Sequence, residues 1–124
     1  MTEIRPTVSV EYRGEAVVLT LTDEKILEDE QIRSLQDSII SVVEQVGRVN
    51  LILDFRNVRF LSSAVLGLLI RVSKRVYEGD GQLRLCNIDP KIREIFRITR
   101  LTKIFDIYPD LEQAIAGLSD SEQG

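Results

Sequence analysis

Residues 49–77 read VNLILDFRNVRFLSSAVLGLLIRVSKRVY, and this stretch decides the fold. It opens with three consecutive apolar residues, Leu51–Leu53, which is typical of a strand covered on both faces. A short loop follows Asp54. The chain is then apolar almost all round from Ala64 to Ile70, which predicts a deeply buried helix from about Ser63 to Tyr77. A buried strand followed directly by a helix is the repeating unit of α/β sheets.

The chain before this stretch predicts a hairpin and then a helix. Residues 7–12 and 16–22 are rich in β-branched residues, and a turn containing Gly14 separates them. The acidic stretch 23–30 precedes apolar positions at helical spacing, and negative charge is favourable at a helix N-terminus. Gly47 is a natural stop for this helix.

The chain after it predicts two further strand and helix pairs. Residues 82–86 alternate as a strand does, and Asp89 with Pro90 gives a helix start. The residues of that helix predicted to pack inward are Ile92, Ile95, Phe96 and Ile98. Residues 104–108 predict a short strand, and Pro109 opens the last helix.

The predicted order of elements is therefore ββαβαβαβα. Alternating strands and helices after a hairpin imply an α/β fold with a mixed, mostly parallel sheet. We expect a single domain over residues 1–118 and a disordered polar tail over residues 119–124.

Composition bounds the class of protein. The chain has 124 residues, 44% hydrophobic and 29% charged, which are values of one globular domain. A net charge of −4 argues against a general nucleic-acid binder. The sequence has no run of about 18 apolar residues, so we expect no membrane span. Its first residues do not resemble a secretion leader. The single cysteine, Cys86, fits a reducing compartment, so we expect a cytoplasmic protein.

The absence of histidine excludes more kinds of catalytic and metal site than any other feature of the composition. With no His in the sequence, there is no Ser-His-Asp or Cys-His pair and no histidine-ligated zinc. One cysteine excludes a thiolate metal site within the chain, and no phosphate-binding P-loop motif is present. Sites made of paired carboxylates, or of oxygen ligands for magnesium or calcium, remain possible. We expect no enzyme activity, no resident metal and no cofactor.

Asp54 ends the strongest predicted strand, at the sheet edge where α/β proteins bind ligands. One interpretation is a phospho-accepting aspartate, as in response-regulator receivers. The other is a carboxylate that accepts hydrogen bonds from amides of the following loop, and the apolar run after Asp54 favours it. Cys86 ends another strand, and we interpret it as an inert core residue.

Ser62 and Ser63 begin the apolar helix and allow two interpretations. One serine could be an N-cap that satisfies a free backbone amide. Two hydroxyls at a helix N-terminus also suit phosphorylation, because the free amides and the helix dipole stabilise a phosphate dianion there.

Seen together, these features resemble STAS domains, and specifically bacterial anti-sigma-factor antagonists. The similarity covers about residues 7–118. The matching positions are the strand-end Asp54, Leu66–Gly67 in the helix, Gly81 in the turn, Pro90 at the next helix start, and Leu101 with Phe105.

The resemblance implies a phosphorylated serine at Ser63, with Ser62 as the second choice. The chain departs from the family pattern around it, because Ser62 stands where the family usually has Asp, Ala64 where it has Ser or Thr, and Val65 where it has Gly. Asp54 would support the loop. The implied partner-binding residues are Arg56, Arg59, Ser62, Ser63 and Ala64.

The resemblance also implies a function. An antagonist of this family binds an anti-sigma factor, which is a GHKL-type serine kinase, and so frees a sigma factor. The kinase phosphorylates the antagonist, and a PP2C-type phosphatase resets it. We expect a monomer or weak homodimer without nucleic-acid or membrane partners. Two alternatives stay open: a STAS scaffold subunit of a stress-sensing assembly, and a small-ligand-sensing STAS module.

Overall fold

The computed structural model describes the backbone of residues 2–5 and 7–123 and the side chains of residues 7–117. The strands are β1 (Thr2–Arg5), β2 (Val8–Arg13), β3 (Ala16–Leu21), β4 (Lys25–Ile26), β5 (Asn50–Asp54), β6 (Phe60–Leu61), β7 (Gln82–Cys86) and β8 (Asp106–Tyr108). The helices are α1 (Asp29–Val46), α2 (Ser63–Glu78), α3 (Pro90–Ile98) and α4 (Leu111–Gln123), with a 3-10 turn at Leu101–Lys103.

Six strands form the main sheet in the order β1-β2-β3-β5-β7-β8. The β1-β2 and β2-β3 pairs are antiparallel, and the pairs from β3 to β8 are parallel. This confirms the mixed sheet with an N-terminal hairpin. Asp54 is in register with Thr20 on one side and Cys86 on the other, so the loops that follow these strands leave from one edge of the sheet.

Helices cover both faces of the sheet. Leu51 and Leu53 of β5 face a large apolar cluster that includes buried side chains of α1, α2 and α3. Ile52, between them, faces a smaller cluster that includes Cys86 and Ala114 of α4. Successive side chains of a strand point to opposite faces. The consecutive apolar residues of β5 are therefore buried on both sides, as predicted.

Two predictions about burial are wrong. Ala64 and Ile70 of α2 are exposed, because the helix presses only one face onto the sheet and its outer face meets solvent. In α3, Ile92 and Phe96 are buried, but Ile95 and Ile98, the other two residues predicted to pack inward, are exposed. At about 100° per residue, Ile92 and Phe96 share one side of the helix and Ile98 lies nearly opposite them.

Several elements differ from the predicted order. Strands β1, β4 and β6 and the 3-10 turn are additional. Strand β8 begins only at Asp106, because residues 101–103 form that turn and Ile104 ends it. The backbone of α4 is helical through Gln123. The domain end at residue 118 and the disordered tail stay predictions, and Gly124 lies outside the described residues.

Gly81 allows the first residues of the parallel strands β5 and β7 to lie close together. A Cβ at this position would lie 2.2 Å from the carbonyl oxygen of Val49. That contact is with backbone, which cannot swing away as a side chain could. The start of β7 therefore sits at its distance from the start of β5 because residue 81 has no side chain.

Candidate functional site

Asp54 is the buried centre of the loop that follows β5. Its side chain has no solvent exposure. Oδ1 accepts hydrogen bonds from the backbone N–H of Arg56 and from Nδ2 of Asn87, each at 3.0 Å. Oδ2 accepts from Nε of Arg56 at 2.9 Å. The structure thus contains the hydrogen bond to a loop amide that the sequence predicts, and it adds two side-chain partners.

The Asp54–Arg56 pair is partly shielded from water. Hydrogen bonding to Asp54 raises the pKa of the Arg56 guanidinium above its usual value, and the Coulombic attraction of the carboxylate adds to this effect. Arg56 therefore stabilises the loop as a permanent cation that is ion-paired with Asp54. About half of its side chain nevertheless reaches solvent.

A second set of hydrogen bonds ties this loop to the segment after β3. Nδ2 of Asn57 donates to the carbonyl of Leu21 at 3.0 Å, and the backbone N–H of Arg59 donates to the carbonyl of Glu24 at 2.8 Å. Strands β4 and β6 then pair in parallel as a separate small sheet. The loop is consequently fixed from both sides before α2 begins.

Gln31 in the first turn of α1 holds β4 in place. Its Oε1 accepts from the backbone N–H groups of Leu27 and Glu28 at 3.1 Å, and its Nε2 donates to the carbonyl of Lys25 at 2.9 Å. Glu28 and Gln31 form a capping box, which is a spacing that the sequence displays. Asn57 and Asn87 carry no comparable sequence signal.

The two serines have opposite surroundings. Ser62 is the N-cap residue of α2 by its backbone, but its side chain makes no capping hydrogen bond. Its Oγ is buried and has no hydrogen-bond partner among the side chains and backbone that the structure describes. Ser63, the first residue of α2, is exposed, and so is Ala64. The prediction that a serine side chain caps this helix is wrong for Ser62.

Arg59 lies between this helix start and α3. Its Nη1 donates to the carbonyl of Arg56 at 3.1 Å, and its Nε lies 4.0 Å from Oδ2 of Asp89. About half of the Arg59 side chain is exposed. The predicted partner-binding residues lie between Arg56 and Ala64. Among them, Arg56, Arg59, Ser63 and Ala64 reach solvent, and the hydroxyl of Ser62 does not.

Cys86 lies under α4 and is fully buried. Burial, and secondarily the nearby Asp54 carboxylate, raises the pKa of its thiol to about 12. A thiol with such a pKa is protonated at neutral pH and is a poor nucleophile. This agrees with the interpretation of Cys86 as a core residue.

Among the side chains of residues 7–117, no group of three or more carboxylates or thiols could hold a metal ion. Across residues 2–5 and 7–123, no helix is both long and apolar enough to cross a bilayer.

An open depression of about 540 Å³ lies beside Arg56, between β2 and the start of α4. Arg13 and Arg56 line it together with carboxylates such as Glu112. Arg13 is 3.3 Å from Glu112, and Arg56 is bound to Asp54. Because both cations already have carboxylate partners, this depression does not favour an anionic small ligand.

Comparison with known proteins identifies the family. The family model described as "STAS domain" matches residues 7–114. The chain belongs to the STAS domain family. Among curated relatives, it is 33% identical over 70 residues to a Bordetella bronchiseptica protein named as an anti-sigma factor antagonist, BtrV, covering 56% of this chain and 60% of that protein. The matches span about 60% of the length of the curated relatives.

Solved structures share the STAS fold. An anti-sigma-factor antagonist STAS protein from Planctomyces limnophilus superposes with a TM-score of 0.83 at 17% identity, over 90% of this chain and 97% of that one. The Bacillus cell fate determinant SpoIIAA, solved in its phosphorylated form, gives a TM-score of 0.67 at 22% identity, over 90% and 98% of the two chains. At these identities the similarity establishes the fold.

Proposed function

We propose that this STAS protein is an anti-sigma-factor antagonist, a non-catalytic binding module that is switched by phosphorylation of Ser63. The family match and the names of the relatives support the antagonist role. The sequence independently supports a non-catalytic role. It has no histidine, and it shows no catalytic nucleophile paired with a general base, as an enzyme of that type would need.

The different exposure of the two serines favours Ser63 over Ser62 as the residue that accepts the phosphate. A kinase must reach the hydroxyl, and Ser63 is exposed at the first position of α2. Ser62 Oγ is buried, so its phosphorylation would require the helix start to open. SpoIIAA, which has the same fold, exists in a phosphorylated form, and this supports a phosphorylation switch in the present chain.

The physical effect of the phosphate differs between the fold and the interface. A phosphate adds about −1.5 to −2 charges at neutral pH. Within the domain, the free amides and dipole at the start of α2 offset that charge, so the fold survives. At an interface formed by Arg59, Ser63, Ala64 and their neighbours, the same charge must be desolvated or matched, which weakens binding.

The proposed partner is an anti-sigma factor of the GHKL-type serine kinase class, which both binds and phosphorylates the antagonist. A PP2C-type phosphatase would reverse the modification, and the cytoplasm is the matching location. Asp54 and Arg56 fix the loop that presents Ser63. Ser62 stands where the family has Asp, so we propose that the kinase of this chain does not require an acidic residue there.

The test begins with capture of partners from the native host on immobilised wild-type protein and on the Ser63→Asp and Ser63→Ala variants. Mass spectrometry should find a kinase-like anti-sigma factor on wild type and Ser63→Ala and little on Ser63→Asp. The captured protein with ATP should phosphorylate Ser63. Phosphate on neither serine would overturn the switch.

The oligomeric state is part of the same proposal. Light scattering should give the mass of a monomer or a weak dimer. A large stable particle would instead indicate the scaffold alternative, in which the domain is one subunit of a signalling assembly.

A further inference from the structure

Phe60 is held rigidly at the surface by the backbone around it. Its N–H and that of Arg59 both donate to the carbonyl of Glu24, at 3.1 and 2.8 Å. Two residues further on, the N–H of Ser62 donates to the carbonyl of Ile26 at 3.0 Å. The position of Phe60 is therefore set by the β4-β6 sheet and not by contacts of its own ring in the core.

The side chains of this small sheet alternate between the core and solvent. Ile26 and Leu61, which are register partners, pack against the apolar core. Lys25 and Phe60, the other register partners, point outward, and 47% of Phe60 is exposed. Leu27, which follows β4 directly, is also half exposed. We call the exposed residues Lys25, Leu27 and Phe60 the Phe60 patch.

Such a patch is suited to anchor a partner. Aromatic side chains bury a large apolar area, and they are frequent among the few residues that carry most of the binding energy of an interface. Because the backbone of Phe60 is already fixed, little conformational freedom is lost when the ring is buried.

The charges around the ring indicate the chemistry of the partner. Nζ of Lys25 lies over the Phe60 ring, 5.5 Å from its centroid, and Arg59 is the preceding residue in the chain. Exposed carboxylates flank the patch on the same segment, at Glu24, Glu28, Asp29 and Glu30. Lys25 is the cation that lies directly on the ring, so a matching surface would have an apolar socket for the ring and a carboxylate at the rim beside Lys25.

We propose that the Phe60 patch is the anchor by which the kinase-like anti-sigma factor binds this chain, through an apolar socket with a carboxylate at its rim. This inference rests on the proposed function and adds to it the residues that supply affinity. Phe60 lies three residues before Ser63, within about 10 Å along an extended chain. A phosphate on Ser63 is thus close enough to repel the rim carboxylate that Lys25 attracts.

Tyr77 provides a matched control for Phe60. It is an aromatic residue with 45% exposure, and it lies near the other end of α2, about 21 Å from Ser63 along the helix axis. The probe is the purified kinase-like anti-sigma factor retained by the wild-type chain, and the measurement is its Kd by calorimetry. Phe60→Ala should raise the Kd at least about tenfold, and Tyr77→Ala less than about threefold.

Reversing the charge of Lys25 tests the Phe60 patch without changing the aromatic ring of Phe60. Lys25→Glu should weaken binding at least about fivefold by opposing the rim carboxylate, whereas Lys74→Glu on the exposed side of α2 should change the Kd less than twofold. Thermal melting of all four variants shows whether each is folded. A photo-crosslinking phenylalanine analogue at position 60, but not at position 77, should capture the partner.

The outcomes separate the two proposals. If Ser63→Asp weakens binding but the Phe60 and Lys25 variants bind as wild type does, the Phe60 patch is not the anchor and the proposed function stands. Equal losses for Phe60→Ala and Tyr77→Ala would also overturn the inference. If the wild-type chain retains no kinase-like anti-sigma factor, the proposed function and this inference both fail.

Discussion

Asp54 and Ser63 stand at the two ends of the same loop, and their surroundings are opposite. The carboxylate of Asp54 is fully buried and accepts hydrogen bonds from Arg56 and Asn87. Ser63 is exposed at the start of α2. The difference indicates that the end of β5 maintains the shape of the loop, while the start of α2 meets other molecules.

Substitutions at the two ends of the loop should therefore have different effects. Changes around Asp54 and the inner face of α2 should lower the free energy of unfolding, because they remove buried contacts. Changes around Ser63 should alter binding and leave the free energy of unfolding within about 0.5 kcal/mol.

The largest effect on stability is expected at Leu69, which is fully buried on the inner face of α2. Leu69→Ala should lower the free energy of unfolding by about 2–5 kcal/mol through lost burial and a cavity. Ile70→Ala is the control, because the next residue along the helix is exposed, and it should cost less than about 0.5 kcal/mol. Similar losses in urea denaturation of the two variants would contradict the assigned inner and outer faces.

A large effect on binding with little effect on stability is expected at Ser63. Ser63→Asp should weaken binding of the anti-sigma factor about a hundredfold, which is about 2.8 kcal/mol. Its urea midpoint should stay near that of wild type, because a negative charge is favourable at a helix N-terminus. Ser63→Ala should bind as the wild type does. A loss of more than about 1 kcal/mol of stability in Ser63→Asp would show that the position is structural.

Asp54→Asn tests the other end of the loop. Asn retains the shape, but its amide group would face the donors of Arg56 in place of an accepting oxygen. Lost hydrogen bonds to a charged group should lower the free energy of unfolding by about 2 kcal/mol. The control is Asp37→Asn on α1, where the side chain is exposed, and little change is expected. Equal denaturation curves for the two variants would show that Asp54 does not hold the loop.

Periodicity predicted most of the fold because it reports which side of an element is buried. The burial of β5 on both faces and the helical start at Ser63 follow from patterns that are local in the chain. Local patterns could not predict the exposure of Ile98, because α3 had enough apolar residues for two faces and the sheet covers only one.

The partners of Asp54 could not be predicted for a different reason. Asn87 reaches Asp54 only because β5 and β7 pair in a register that places Asp54 opposite Cys86, one residue before Asn87. That register depends on the whole sheet. The small β4-β6 sheet is likewise too short to show an alternating pattern, so the surface position of Phe60 became apparent only in the structure.

The smallest expected effect is at Ser62, and its sign decides between two descriptions of the helix start. If the hydroxyl caps α2, Ser62→Ala should cost about 1 kcal/mol. The structure instead shows a buried Oγ without a partner among the described residues. An unsatisfied buried hydroxyl is itself unfavourable by roughly 1–3 kcal/mol, so its removal should leave the free energy of unfolding unchanged or raise it by up to about 1 kcal/mol.

Asp89 supplies the control for Ser62, because it caps α3 through a hydrogen bond from the N–H of Lys91 to Oδ1 at 2.9 Å. Asp89→Ala should lower the free energy of unfolding by about 1 kcal/mol in the same urea titration. An equal loss in Ser62→Ala would mean that the hydroxyl turns to cap α2 in solution. The same Ser62→Ala protein should still accept phosphate from the kinase, because its exposed Ser63 is intact. If phosphorylation disappeared, Ser62 would be the acceptor, and the helix start would have to open to reach it.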